Sequence, residues 1–317
     1  MPAVSLRYLH YSELYLPAWE ACLATAPQAL PYACAWWLHA TAGQWDAVVE
    51  INKETGAYAS VFPLPTKVRP WGRDVYQPPF TQQLGLITTA TSRYRHLLDY
   101  LALLPAARFA HVYTQLSTQN ELVAAPPAFA LLARRTYRLS LAPTYATLAA
   151  TYTPDYRRRL SRNQQAAALL TVTETTSAEA IIQLFQQENA AAGLKSQDYQ
   201  RLRALVQAAQ THSRLLLLEV RAPATSALLA GALFVCHADF VIYLFAAASG
   251  EGKKAGAPLL LLDHVIQRHA GSPGLTLDFE GSMIPSIARF FANFGAVPVP
   301  YVALTQTRKP WYLQWMR

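Results

Sequence analysis

Residues 274–301 read Gly-Leu-Thr-Leu-Asp-Phe-Glu-Gly-Ser-Met-Ile-Pro-Ser-Ile-Ala-Arg-Phe-Phe-Ala-Asn-Phe-Gly-Ala-Val-Pro-Val-Pro-Tyr. Leu275–Phe279 has the alternation of a short strand, with Asp278 and Glu280 at its end and Gly281-Ser282 turning the chain. Strand alternation sets Asp278 and Glu280 on one face, opposite Phe279. A helix is expected over Pro285–Asn293, with proline in the first turn, where its missing N–H costs nothing. Ile287, Phe290, Phe291 and Phe294 form its apolar face, and Gly295 stops it. A strand then resumes over Ala296–Leu304. Strand, helix and strand, with acidic and hydroxyl groups at the strand end, suit a ligand cleft in an open α/β sheet.

Working outward, 317 residues exceed the usual single-domain length, so two domains are expected. A hydrophobic fraction of 52% against 15% charged residues gives a chain that buries a core and excludes a disordered one. No apolar run reaches the roughly 18 residues of a membrane span. Leu259–Leu262 is followed by Asp263, His264 and Gln267 and reads as a packed helix. No basic segment with an apolar core opens the sequence, so secretion is not expected. Cys22, Cys34 and Cys236 lack Cys-x-x-Cys spacing and fit reduced thiols in a cytoplasmic protein. The histidines have no metal-ligand spacing, so no metal is expected. No Gly-x-Ser-x-Gly elbow, nucleotide P-loop or His-Glu-x-x-His motif occurs.

The net charge of +8 admits nucleic acid, anionic lipid or a polyanionic small ligand such as a coenzyme. Most basic residues are dispersed, as on a solvated surface. The exceptions are the run from Arg157 to Arg162 and the pair Lys253-Lys254. The first half reads as helices at Tyr11–Thr25 and Cys34–Ala42, then strands at Trp45–Asn52, Ala57–Lys67 and Val75–Leu86. A helix (Ser92–Leu104) and strands at Phe109–Gln115 and Thr136–Leu141 follow. The second half reads as a helix at Pro154–Ala167, a strand at Leu169–Glu174, and helices at Ala178–Ala191 and Gln197–Thr211. Strands at Arg214–Arg221, Leu228–His237 and Phe240–Ala248 precede a helix at Ala257–Ala270 and the quoted stretch. Two helices, a three-stranded meander, a helix, a strand and a final strand occur in both halves, so the order of elements argues for an internal repeat.

Four segments together resemble the Fem-type (FemAB-like) branch of the GNAT acyltransferase superfamily, over nearly the whole chain. In the quoted stretch the pattern is Asp278-Phe279, Gly281-Ser282, Arg289-Phe290-Phe291 and Phe294-Gly295. The others are Tyr76-Gln-Pro-Pro-Phe-Thr-Gln-Gln-Leu-Gly85, Tyr152-Thr-Pro-Asp-Tyr-Arg-Arg-Arg-Leu-Ser-Arg-Asn163 and the segment from Tyr243 to Ala257. The resemblance implies an α/β (α+β) chain of two tandem GNAT-like folds, each a mixed, mostly antiparallel sheet flanked by helices. The borders expected are 1–143 and 144–317, with the carrier site in the second domain.

Several residue groups could carry chemistry. In the loop Ser249–Ala257, glycines at 250, 252 and 256 let main-chain N–H groups approach an anion, the following helix adds its dipole, and Lys253 and Lys254 add charge. The family holds the coenzyme A pyrophosphate with an Arg/Gln-x-x-Gly-x-Gly/Ala loop; here the nearest fit is Lys253-Lys-Ala-Gly256-Ala257-Pro258, with lysine in place of Arg or Gln and Pro258 in the last slot. The plain alternative is a glycine-rich connection. Asp278, Glu280 and Ser282 cluster at the strand end, where a carboxylate could take a proton from an amine. Glu280 is the expected base and Asp278 the expected turn anchor. Arg158 and Arg162 share a helix face and suit phosphate or carboxylate, or else simply face solvent. Gln77, Gln82 and Gln83 could give amide contacts to an acceptor, or only shape a polar loop.

Many GNAT enzymes protonate the leaving thiolate with a tyrosine in a Phe-Tyr-x-x-x-Gly pattern, and here that position is Phe291. Either the thiolate leaves unaided, Tyr243 or Tyr301 substitutes, or the donor is not an acyl-CoA. The resemblance thus leaves three functions open. One is transfer from acyl-CoA (acetyl-CoA) to a small-molecule or peptide amine. Another is Fem-type transfer from aminoacyl-tRNA, favoured by Phe291 and the arginines. The third is a catalytically silent ligand-binding protein.

Overall fold

The computed structural model describes every residue except 1–3, 71, 105–108, 123, 166–168, 189–193, 282 and 308–317. The chain divides into two compact units, one of residues 1–134 with 300–317 and the other of residues 135–299.

In the first unit β1 (Val4–Leu9) leads through α1 (Leu16–Thr25) and α2 (Ala35–Thr41) to β2 (Trp45–Asn52), β3 (Tyr58–Arg69) and β4 (Gly72–Val75), all paired antiparallel in that order. A two-residue strand, β5 (Ile87–Thr88), pairs with β3. After α3 (Leu97–Ala102), β6 (Phe109–Gln115) returns parallel to β4. Trp19, Trp37 and Trp45 are fully buried and anchor α1 and α2 on β2.

Two expected elements are shorter than the sequence suggested, for identifiable reasons. The strand expected over Val75–Leu86 ends at Val75, because Pro78 and Pro79 cannot donate to a ladder and Phe80 takes φ +57°. The helix expected from Ser92 begins only at Leu97. Residues 92–94 instead wrap the fully buried Glu50, whose carboxylate accepts from Ser92 Oγ at 2.6 Å and from the N–H of Arg93 at 2.9 Å. A buried carboxylate is tolerated only with such donors.

The chain crosses into the second unit along β7 (Ala130–Ser140). Helices α4 (Tyr145–Thr151) and α5 (Pro154–Gln164) precede β8 (Val172–Glu174), and α6 (Glu179–Glu188) and α7 (Ser196–Thr211) follow it. An antiparallel run then forms from β8 through β9 (Leu215–Arg221) and β10 (Leu228–His237) to β11 (Phe240–Ala248). Next come α8 (Gly250–Ala255), α9 (Ala257–His269), β12 (Thr276–Asp278) and α10 (Pro285–Ala292). β12 lies parallel to β11 and antiparallel to β7. Leu259, Leu261, Leu262, Val265 and Ile266 of α9 are buried in the same core as Leu218, Leu229 and Phe234. At about 1.5–3 kcal/mol per buried aliphatic side chain, tertiary packing and not intrinsic propensity holds this helix.

β13 (Val297–Thr307) pairs antiparallel with β6, so from Pro300 it belongs to the first unit. Both units therefore follow one plan: a four-stranded antiparallel run, a helix, a parallel strand and a last antiparallel strand. The last strand of each comes from the other half of the chain. Assigning each half its own final strand gives a border at 143/144; the division instead cuts β7 after Arg134 and β13 after Val299.

Candidate functional site

The second unit holds an opening between parallel strands. Pairing of β11 with β12 runs only from Phe240↔Thr276 to Ile242↔Asp278. β12 stops there, whereas β11 continues to Ala248 with β10 as its only strand partner among the described residues. Where pairing ends, the register slips: Phe234 faces Tyr243 and Leu233 faces Phe245, leaving Leu244 as an extra residue on β11. Such a bulge bends and re-aims a strand. The edge from Tyr243 to Ala248 thus presents main-chain N–H and C=O groups that no strand among the described residues takes up.

Asp278 explains why β12 ends. Its carboxylate accepts from Thr136 Oγ1 at 2.5 Å, from Arg138 Nε at 2.8 Å and from the N–H of Glu280 at 2.9 Å. The last bond fixes Glu280 in the left-handed region at φ +58°. The expectation that Asp278 and Glu280 share a strand face is therefore overturned, because the strand does not extend to 280. Asp278 is a buried anchor, and Glu280, half-buried, stands on the turn it fixes. Ser282 lies outside the described residues.

Aromatic rings floor the site. Phe291 lies 5.0 Å from Phe279, 6.2 Å from Tyr137 and 6.1 Å from Tyr243, the last edge-to-face at 89°. Tyr243 is half-buried, burial pushes its phenol well above the usual range, and its hydroxyl has no hydrogen-bond partner among the described residues. It stays protonated at neutral pH. Tyr301 lies in the first unit with its hydroxyl donated to Gln115 Oε1 at 2.9 Å. Phe291 of α10 and Phe294 just beyond it are buried as expected, but Ile287 is 40% exposed and is not part of the packed face.

The segment expected as a loop over Ser249–Ala257 is the short helix α8 and a one-residue break before α9. Ser249 Oγ accepts from the N–H of Gly252 at 2.9 Å, and the N–H groups of Lys253 and Gly256 bond within the segment. Those of Gly250, Glu251 and Ala257 have no partner among the described residues. Gly252 is required by packing: a Cβ there would lie 2.0 Å from the Leu229 carbonyl of β10. Gly256 has φ +83°, and a Cβ on it would approach the Arg159 guanidinium at 3.2 Å. Arg159 in turn donates to the Lys253 carbonyl at 3.2 Å, joining α5 to the end of α8. Lys253 and Lys254 are exposed, as are Arg158 and Arg162. Arg158 pairs with Asp155 at 2.5 Å.

The first unit has the corresponding pair of parallel strands, β4 and β6, but side chains staple them. Gln77 Oε1 accepts from the N–H of Gln115 at 2.9 Å, and its Nε2 donates to the Thr81 carbonyl. Gln83 Oε1 accepts from the N–H of Thr118 at 3.0 Å, and Gln83 Nε2 donates to Gln82. The structure gives Gln77 and Gln83 this stapling role. Sequence reading missed Thr136, Arg138 and Arg159. An arginine-rich helix signalled the last, but which arginine turns inward is decided by Tyr156 and Leu160 packing beneath it.

Residues 152–282 match the family model described as an acetyltransferase (GNAT) domain. A comparison with curated protein sequences gives no match. Among solved structures the chain is similar to FemX, with TM-score 0.59 and 12% identity over 93% of this chain and 96% of that one. It is also similar to a conserved protein of unknown function from Bacteroides thetaiotaomicron (TM-score 0.57, 10% identity, covering 96% and 99%). A tandem GNAT protein from the clavulanic acid biosynthesis pathway gives TM-score 0.56 and 13% identity, covering 97% and 99%. Residues 152–282 thus match a GNAT acetyltransferase domain model. The fold of the whole chain is that of the Fem-type, tandem GNAT proteins.

Proposed function

We propose that the chain is a cytoplasmic N-acyltransferase whose acyl carrier lies along the free edge of β11 in the 135–299 unit. The observation that carries this reading is the end of β11–β12 pairing at Ile242 and Asp278, with β11 running on to Ala248. An extended, amide-bearing carrier such as an acyl-CoA continues a ladder along such an edge. Its anionic end falls where β11 ends, near Lys253, Lys254, Arg159 and the first turn of α9, whose dipole favours negative charge.

The amine attacks the carrier carbonyl directly. A C–N bond forms, the C–S bond breaks, Glu280 takes the proton that the amine nitrogen sheds as it bonds, and Tyr243 gives its phenolic proton to the leaving thiolate. Aminoacyl-tRNA is the second reading of the donor, favoured by the buried Phe291 and by the exposed Arg158 and Arg162. In that case a C–O bond breaks and the proton goes to a ribose hydroxyl. Melting temperatures with acetyl-CoA, longer acyl-CoAs and CoA test the proposal, because a ligand of the folded state raises the midpoint by mass action. A rise with an acyl-CoA supports the first donor; no rise with any of them, against a rise with aminoacyl-tRNA, supports the second.

A further inference from the structure

Helices α5, α8 and α10 share one face of the 135–299 unit. The Tyr156 ring of α5 lies 5.9 Å from Phe290 of α10, and the Tyr156 hydroxyl donates to the Phe290 carbonyl at 3.2 Å. One turn back, the N–H of Thr153 donates to the Asn293 carbonyl at 3.0 Å. Numbers rise along α5 as they fall along α10, so the helices run antiparallel. Continued by successive turns, this register brings Arg159 level with Ile287 and Arg162 level with Ile284. On its other flank α5 meets α8 through the bond from Arg159 to the Lys253 carbonyl.

The solvent side of this face is apolar and basic together. Met283, Ile284 and Ile287 are 50%, 56% and 40% exposed. Arg157, Arg158, Arg162 and Arg289 are exposed on α5 and α10, with Lys253 and Lys254 at the α8 end. Of the acids, Asp155 is paired with Arg158, Glu251 is exposed on α8 and Glu280 is half-buried, so positive charge dominates. A basic face alone suits any polyanion. Three large aliphatic side chains held in water gain nothing from a phosphate backbone, but they gain from the headgroup and acyl boundary of a bilayer. Arginines and lysines beside them gain from anionic lipid.

We propose that this face docks the protein on an anionic phospholipid bilayer, with Ile284 and Ile287 entering the interface and Arg157 meeting headgroup phosphates. No membrane-spanning segment is needed for such binding.

Flotation of the full chain with vesicles of phosphatidylcholine alone, or with added phosphatidylglycerol, tests it. The chain is expected to float with the phosphatidylglycerol vesicles only, less as salt rises. Arg157→Glu should lower the partition coefficient by about fivefold or more. The double variant Ile284→Glu, Ile287→Glu should lower it by about tenfold or more at every salt concentration. These side chains are exposed, so the melting temperature should hold and serves as the folding control. Failure to float with phosphatidylglycerol vesicles overturns the proposal. So does wild-type binding by the double isoleucine variant; if Arg157→Glu then abolishes both vesicle and RNA binding, the face belongs to a polyanion instead.

Discussion

Arg138 and Asp278 face each other across β7 and β12, Nε to Oδ2 at 2.8 Å, with their side chains only 14% and 4% exposed. Asp278 also holds Thr136 and the N–H of Glu280, so one carboxylate ends a strand and positions the turn that follows. Removing one member of a buried pair leaves the other desolvated and unpaired. Asp278→Asn should therefore cost about 2–4 kcal/mol in a urea titration. A loss below about 0.5 kcal/mol would show that the anchor is dispensable.

Glu280→Gln keeps the shape of the side chain but removes a base. Turnover should fall by roughly a hundredfold or more, with carrier affinity and unfolding midpoint near wild type. If Glu280→Gln retains activity and a folded Asp278→Asn protein loses it, the two roles are reversed.

Tyr243→Phe removes a hydroxyl that bonds to nothing among the described residues, so stability should change little. If the phenol protonates the leaving group, kcat should fall by roughly tenfold to a hundredfold. Because burial raises the Tyr243 pKa, no loss of rate from its ionisation is expected between pH 7 and about pH 9. Donors with more acidic thiol leaving groups should narrow the gap between variant and wild type. An equal gap for all donors would remove Tyr243 from that step.

How much of this was legible in the sequence can be judged at particular residues. Periodicity located β10, β11, α9 and α10 nearly to the residue, because each carries a core-facing pattern of its own. Gly256 and Gly252 were both legible as special positions, but only the fold separates a left-handed turn from a close approach to Leu229. Asp278 was legible as an anchor; its partners Thr136 and Arg138 were not, since they lie about 140 residues away and no local pattern links them. The exchange of β7 and β13 between units was hidden for the same reason, as strand partners are chosen by tertiary packing.

His237 gives the chain a pH dependence of its own. Burial, and then the charge of Arg214, lower its pKa from 6.5 to about 4. The unfolded chain binds this proton at a higher pH than the folded one. Stability is thus complete above about pH 6.5 and is lost as pH falls toward 4, by roughly 3 kcal/mol for this group. His237→Gln should flatten urea midpoints between pH 7 and pH 5. An unchanged slope would assign the acid sensitivity to other groups.

The most direct test of the carrier site is calorimetric titration of the full chain with acetyl-CoA and CoA, in wild type, Lys253→Ala and Gly256→Val. Valine at 256 meets both the φ of +83° and the Arg159 guanidinium, so its fold is first checked by circular dichroism and melting. The account predicts saturable binding by wild type and a loss of about tenfold or more in folded Gly256→Val. It predicts a smaller, salt-dependent loss in Lys253→Ala, whose exposed side chain contributes only charge. Wild-type affinity in both folded variants, or no binding of any acyl-CoA by the wild-type chain, would contradict the placement of an acyl-CoA at the end of β11.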